Sequence, residues 1–530
     1  MQLKQLNWWR ISLVILIILG IYLRFTNLDG KVYWVDEVKT SLQAAGYTES
    51  QLIRETPLAT VLNLSFLQNY QQLDAATSLW QSIKTIVSSE HSPLYYILTR
   101  CSMDHFGSSI ALTRGLATAI SLFSLPAIYW LSLEIFTSAL IAEVSLGLVA
   151  ISPFHIIYAQ EAREYSLLTV TIILMSAVFL WAMRYPAPSI WLAYSGTVAL
   201  GLYTHPLAGL VSLGHGIYAL FTQRWRLNQV VVIYGLYAAL GLILFIPWIL
   251  VLIFNENSMG SWVTQDLPLP LLLQRWAINT VGSIYDLQIG YEDRLFDIQN
   301  FQDIQLTSTQ PWVYFLLLIS VLIAYSFYFL YRQGTEQQWW FIITLVGVTG
   351  LALVVPDLVN GGQRSTIGRY AIACHLGVEL TLAYCLGTYL KYAVNFNRKN
   401  LWKLIFVAIF IISILSSLIM HNASTWWNKY SSYYHQEVAN IINQSEQPLV
   451  VGNVSRIVRT LSLSHHLEPE TRFIFFDKQV AIQLPENYPD IYVFRPMPSL
   501  LDNLQGQNYQ VAVRHKKGKL WQVESPNTPE

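Results

Sequence analysis

Charge is scarce in this sequence. Of its 530 residues, 12% are Asp, Glu, Lys or Arg, about half the usual share of a soluble chain. A water-soluble protein of this length could not clothe its surface so thinly. The 32 basic residues are matched by 32 acidic ones, so there is no basic excess for a nucleic-acid platform. Cysteine is limited to Cys101, Cys374 and Cys385. All three lie in apolar stretches without metal-ligand spacing, so they read as packing residues. Nucleotide phosphate motifs, a signal cleavage site and an internal repeat are also missing. What the chain has instead is 53% hydrophobic residues and 18 Trp, with a mean hydropathy of +0.39. That composition excludes disorder and specifies a polytopic membrane protein with aromatic belts.

A span needs about 20 apolar residues. Eleven stretches qualify: 11–28, 112–134, 139–158, 166–184, 190–204, 206–222, 229–254, 311–332, 338–356, 369–390 and 401–421. The pair around Pro206 is the shortest. Lys and Arg set the orientation. With the N-terminus inside, the inner segments hold ten cations: Lys4, Arg10, Arg184, Arg224, Arg226, Arg332, Lys391, Arg398, Lys399 and Lys403. The short outer loops keep Arg163, Arg364 and, at the edge, Arg369. These three defy the rule and are functional suspects. Residues 93–107 look helical but carry Arg100, Asp104 and His105. Counting them as a span would invert the downstream charges, so they are expected to lie in the outer interface, as are 269–285.

The expected fold is all-α and polytopic, with interfacial amphipathic helices and a small α/β domain at the C-terminal end. Residues 1–421 form the transmembrane domain, with outer loops 29–111 and 255–310. Residues 422–530 form the soluble domain, on the outer face. In it, 448–452, 472–476 and 490–494 read as strands and 454–466 as a helix. Two runs flanking Lys516-Lys517-Gly518-Lys519 read as a hairpin. Nothing in this domain looks catalytic, and a lid or docking role is expected.

Polar residues gather on the outer face. Tyr33-Trp34-Val35-Asp36-Glu37 follows the first span. One carboxylate would suit a general base and the other a metal or an orienting contact; a solvated loop pair is the plain alternative. Glu90-His91-Ser92-Pro93 opens the interfacial helix, with His91 as a phosphate or sugar contact or a satisfied interfacial histidine. Gln160-Glu161-Ala162-Arg163-Glu164-Tyr165 fills a loop of a few residues between two spans. Arg364, Arg369 and Tyr370 follow Asn360-Gly361-Gly362. A guanidinium at headgroup depth suits a lipid phosphate, or it snorkels to the interface. Arg114 raises the same two readings, and His205 shares this face.

In this order the motifs resemble those of glycosyltransferase family 39 and its bacterial relatives in the GT-C superfamily. That group includes protein O-mannosyltransferases and the aminoarabinose transferase that modifies lipid A. The resemblance covers roughly residues 1–420 and leaves the tail outside. It implies Asp36 as catalytic base, Glu37 as its partner, and Arg114 near the donor phosphate. It implies substrate contacts at His91, Arg163, Tyr165, Arg364, Arg369 and Tyr370, and Glu161 as a possible ligand of a divalent metal ion. Ser92 departs from the family's usual proline. The implied reaction moves one sugar, mannose or another hexose or pentose, from a polyprenyl-phosphate donor to an acceptor, with inversion. The acceptor is a protein, lipid or glycan, and no nucleotide cofactor is needed. The implied setting is a bacterial inner membrane, with the N-terminus cytoplasmic and the site and tail periplasmic. A lipid-linked sugar flippase, a polysaccharide polymerase or ligase, and an inactive scaffold are the rival readings.

Overall fold

The computed structural model describes residues 2–73, 77–88, 91–254, 261–286, 312–392, 395–477, 482–485 and 487–524. Every one of the eleven apolar stretches is helical: Gln2–Phe25, Ile110–Ser121 with Ser124–Phe136, Ala139–Ile151 with Pro153–Ala159, Tyr165–Arg184, Pro188–Thr204, Ala208–Thr222, Gln229–Phe254, Trp312–Gln333, Glu336–Val359, Ile372–Tyr392 and Phe396–Asn422. Among the described residues eight are long and apolar enough to cross a membrane, or nine if the bent pair is one span. The remaining two have 17 and 15 residues, shorter than a core of roughly 30 Å requires. Leu318 and Ile243 are 66% and 56% exposed. Water would penalise that surface and hydrocarbon does not. The chain is a multi-pass membrane protein. Its centre is formed by Tyr165–Arg184 and Ile372–Tyr392, buried on nearly every face.

The bend between Ala139–Ile151 and Pro153–Ala159, 53°, aims the shorter piece at the polar face. Its cause is chemical. Pro153 has no N–H to offer Val149. The buried Arg24 supplies the missing donor: its Nη2 lies 2.9 Å from the Val149 carbonyl, and its Nη1 bonds the Ala150 carbonyl. Ser417 Oγ donates to the Ile151 carbonyl at 2.8 Å. An arginine inside the helical body thus satisfies the carbonyls that the break exposes.

The 93–107 segment is a separate helix, Leu94–Phe106, with Pro93 at its cap rather than in its first turn. At 13 residues it reaches about 20 Å, too short to span. Arg100, 4% exposed, donates to Ser82 Oγ at 2.9 Å and the Thr77 carbonyl at 2.8 Å, and pairs with Asp104. The 269–285 segment yields the helix Leu269–Val281. Most of the 255–310 loop lies outside the described residues.

The tail forms the sheet expected of it. The strands are β1 (Leu62–Asn63), β2 (Pro448–Asn453), β3 (Arg472–Phe476), β4 (Asp490–Phe494), β5 (Gln510–His515) and β6 (Leu520–Glu524), in the order β1-β3-β2-β4-β6-β5. Strands β3, β2 and β4 are parallel, and β5 and β6 form the antiparallel hairpin. Strand β1, from the first long loop, pairs antiparallel with β3. A shared core joins Val38, Leu52 and Leu67 of that loop to Val438, Leu461 and Phe475 of the tail. The loop and the tail therefore form one body, which stands on the helices at the face where Asp36 emerges.

Candidate active site

Asp36 and Glu37 lie in the first turn of the helix Val35–Ala44, where the helix dipole favours carboxylates. Although adjacent, they occupy different environments. Glu37 is fully buried. Its Oε1 accepts from Arg114 Nε at 2.7 Å and from the Ala162 amide at 2.9 Å. Its Oε2 accepts from Arg114 Nη2 at 2.7 Å and Lys429 Nζ at 2.9 Å. Burial alone would raise its pKa, but the cations Arg114 and Lys429 outweigh it and pull the group down to about 2. Glu37 is a permanent anion, locked in place. The Asp36 side chain is 25% exposed, and its Oδ2 lies 3.3 Å from Arg369 Nη2. Of the pair, it alone is open to an incoming molecule.

Arg114 donates, besides its two bonds to Glu37, to the carbonyls of Leu28 at 2.6 Å, Lys31 at 3.0 Å and Val32 at 2.9 Å. All five guanidinium donors are engaged within the chain, leaving none for a phosphate. The expected place near the donor phosphate gives way to a role in fixing residues 28–37. Arg364 likewise pairs with Asp357 at 3.1 Å. Asp357 also accepts from the Ser365 amide and hydroxyl, both at 2.7 Å. Gly361 and Gly362 make this turn, at φ +74° and +133°. Arg364 therefore clips the turn and does not join Asp36.

Arg163, Tyr165, Arg369 and Tyr370 do come together. Arg369 is 5% exposed. Its guanidinium lies over the rings of Trp34 at 5.2 Å, Tyr165 at 5.4 Å and Tyr370 at 5.9 Å. Arg163 lies 5.8 Å from the same Tyr165 ring and donates to Tyr96 Oη at 2.8 Å, Thr40 Oγ1 at 3.2 Å and Glu164 Oε1 at 3.1 Å. The Nε of each arginine has no hydrogen-bond partner among the described residues. His91 stacks on Tyr96 with centroids 5.7 Å apart. Burial, then Arg163, hold it down to about 3, so it is neutral. His205 packs against Tyr370 at 6.0 Å. Burial, then Arg163 and Arg369, push it down to about 4.

Glu161 is fully buried, bonded by Asn428 Nδ2 and 3.5 Å from Lys429 Nζ. Burial raises its pKa, with Lys429 opposing. Among the described residues no three His, Cys, Asp or Glu side chains are grouped to hold a metal. An ammonium already stands between Glu37 and Glu161. The residues present do not fit a divalent ion at Glu161.

Several participants were not evident in the sequence. Lys429 and Asn428 belong to the tail, and only chain reversal brings them to Glu37. Lys31, 2% exposed, donates to Gln160 Oε1 and the His421 carbonyl, both at 3.1 Å. Burial, with help from Lys429 and Arg114, pushes it down to about 7. The interhelical pair His155–Glu379, 2.9 Å apart, carries no sequence signal beyond two ionisable residues inside apolar runs.

No family model and no curated protein matches the chain. Solved structures do. ArnT from Cupriavidus metallidurans, bound to undecaprenyl phosphate, matches with a TM-score of 0.52 and 12% identity over 96% of this chain and 97% of its own. The archaeal oligosaccharyltransferase AglB from Archaeoglobus fulgidus, in complex with an inhibitory peptide and a dolichol-phosphate, matches with a TM-score of 0.51 and 11% identity over 99% of this chain and 75% of its own. The shared fold is the GT-C membrane fold to which the motifs pointed. The match with ArnT runs through the tail as well, so the likeness in fold is not confined to residues 1–420.

Proposed function

We propose that this chain is a membrane glycosyltransferase that moves a single sugar from a polyprenyl-phosphate donor to an acceptor, with Asp36 as general base. The carrying observation is the 3.3 Å pairing of an accessible carboxylate, Asp36, with an arginine, Arg369, that lies among aromatic rings. The other carboxylate of the pair is held as a fixed anion. Asp36 accepts the acceptor's proton as its oxygen attacks the anomeric carbon, and the bond to the lipid phosphate breaks with inversion. Arg369, with Arg163 beside Tyr165, balances charge on the departing phosphate. Glu37 and Arg114 hold the helix that carries Asp36.

Support comes from the fold shared with ArnT and AglB, whose structures hold undecaprenyl phosphate and dolichol-phosphate. A hexose or pentose donor and a periplasmic site, with the N-terminus in the cytoplasm, belong to the same reading. The Lys and Arg asymmetry of the loops supports that orientation. The test is mass analysis of membrane glycolipids and glycoproteins with and without the chain. One sugar disappears from one class of product when the chain is absent. Identical profiles would reject the proposal.

A further inference from the structure

The sheet carries a group of cations that the proposed reaction does not use. Strands β3, β2 and β4 are parallel, and the chain passes from β3 across β2 to β4. The connections leaving β2 and β4 therefore diverge. In parallel α/β sheets such a divergence opens a crevice at the carboxyl ends of the two strands, where ligands bind. Arg456 follows β2 here, and Arg495 follows β4. Arg459 lies in the first turn of the helix Ile457–Ser464, and Lys519 leads into β6.

These cations are held together deliberately. Arg495 and Lys519 both adopt left-handed backbone, at φ +46° and +57°, a conformation that costs a non-glycine residue about 1 kcal/mol. The Arg495 amide donates to the Lys519 carbonyl at 2.8 Å. Arg456 Nη1 donates to the carbonyls of Arg495 at 2.9 Å and Pro496 at 3.2 Å. Arg495 is 8% exposed. One of its nitrogens bonds the Ser431 carbonyl at 2.9 Å, while Nε has no partner among the described residues. No ion pair among the described residues engages Arg456, Arg459, Arg495 or Lys519. Glu49, the acid that acts on Arg459, is occupied by Lys39 at 2.9 Å. Burial, then Arg459 and Arg456, push the Arg495 guanidinium down to about 9. Like charges crowded this closely, with a buried donor left over at Arg495, are what a bound anion would relieve.

The group borders the candidate active site. Tyr430 is an electrostatic neighbour of Arg459 on one side, and of Arg369 and Asp36 on the other. Arg369, at the head of a span, is placed for the donor phosphate. A second anion site in the sheet body, off the helices, falls to the other substrate.

We propose that Arg456, Arg459, Arg495 and Lys519 bind a phosphate group carried by the acceptor, at the crevice between β2 and β4. This rests on the glycosyltransferase reading for the word acceptor, and on the cation geometry alone for the anion site.

The test has two arms. In the first, inorganic phosphate is titrated calorimetrically into the full chain in nanodiscs. Arg456→Gln/Arg459→Gln should bind at least about tenfold more weakly, the equivalent of one lost charged hydrogen bond. Arg456→Lys/Arg459→Lys should keep phosphate binding. Should the Gln pair misfold, Lys519→Gln alone must weaken binding in the same direction. Affinity unchanged in the Gln variants overturns the site. In the second arm, product labelled from a polyprenyl-phosphate sugar is passed over an anion exchanger. Retention that phosphatase treatment or mild acid abolishes supports the proposal, and a neutral product overturns the acceptor assignment. Partition between butanol and water separates a lipid-borne from a soluble acceptor. If no donor yields product, the glycosyltransferase reading fails and the acceptor assignment falls with it, while the anion site still stands or falls on the titration.

Discussion

Lys429 Nζ lies 2.9 Å from Glu37 Oε2, across 392 residues of sequence. The same ammonium is 3.5 Å from Glu161 Oε1. One buried cation from the tail is therefore shared by two buried glutamates, one from the first loop, which Arg114 also pairs, and one from the loop before Tyr165. The loop-and-tail body is tied to the helices through the same group that fixes the helix of Asp36.

Removing that cation leaves two buried carboxylates short of a partner. Breaking a buried pair from one side costs about 3–5 kcal/mol. Lys429→Met should lower the melting temperature of the purified protein, and adding Glu161→Gln should recover part of the loss. The pH dependence follows from Glu37. Its pKa falls from 4.5 unfolded to about 2 folded, so its contribution is complete above about 4.5 and lost as pH falls through about 2. Melting curves from pH 5 to 8 should show no step from Glu37. A step that Glu37→Gln abolishes would contradict the locked anion.

Asp36→Asn keeps the size of the side chain and removes its basicity. The carboxamide oxygen still reaches Arg369, so expression, melting temperature and donor binding should stay near wild type. Transfer from a polyprenyl-linked sugar should fall by at least about a hundredfold, the usual contribution of a positioned base. Turnover near wild type would reject Asp36 as the base.

Arg369→Ala removes a guanidinium from among Trp34, Tyr165 and Tyr370. Donor affinity should drop by about tenfold or more, consistent with a charged hydrogen bond worth about 1.5–3 kcal/mol, while acceptor KM changes little. Donor titrations that overlay the wild type would make Arg369 an interfacial anchor.

The helices were legible because lipid demands long apolar runs and internal backbone pairing. The tail strands were legible for a related reason: β2, β3 and β4 are buried and read as short apolar runs between turns. Strand β1 escaped, being two residues long and formed only because β3 offers an edge. In the site, sequence order brought out Asp36, Arg163 and Arg369 because charge is rare on that side. It could not distinguish an arginine facing Asp36 from one spent on holding its own backbone or turn, so Arg114 and Arg364 looked like Arg369. Lys429 was hidden for the opposite reason: it follows the last span as an ordinary tail lysine, and only the fold returns it to Glu37.

Asp286 offers a pH test of how the approach to Lys429 is held. Its carboxylate accepts from Trp426 Nε1 at 2.9 Å and from Trp427 Nε1 at 3.0 Å, the two residues that lead into Asn428 and Lys429. Burial raises its pKa from 3.8 to about 6, and the indole donors offset only part of that. The folded state therefore holds the proton more tightly than the unfolded chain does. The resulting stability is full below about 3.8 and is lost as pH rises through about 6. Wild-type melting temperature, measured against Asp286→Asn, should decline across that window and run parallel above it. Asn keeps an acceptor for one indole but cannot ionise, so the variant should equal or exceed wild type at pH 7. If the two curves run parallel from pH 4 to 8, Asp286 is ionised throughout, and the paired tryptophans hold it as an anion.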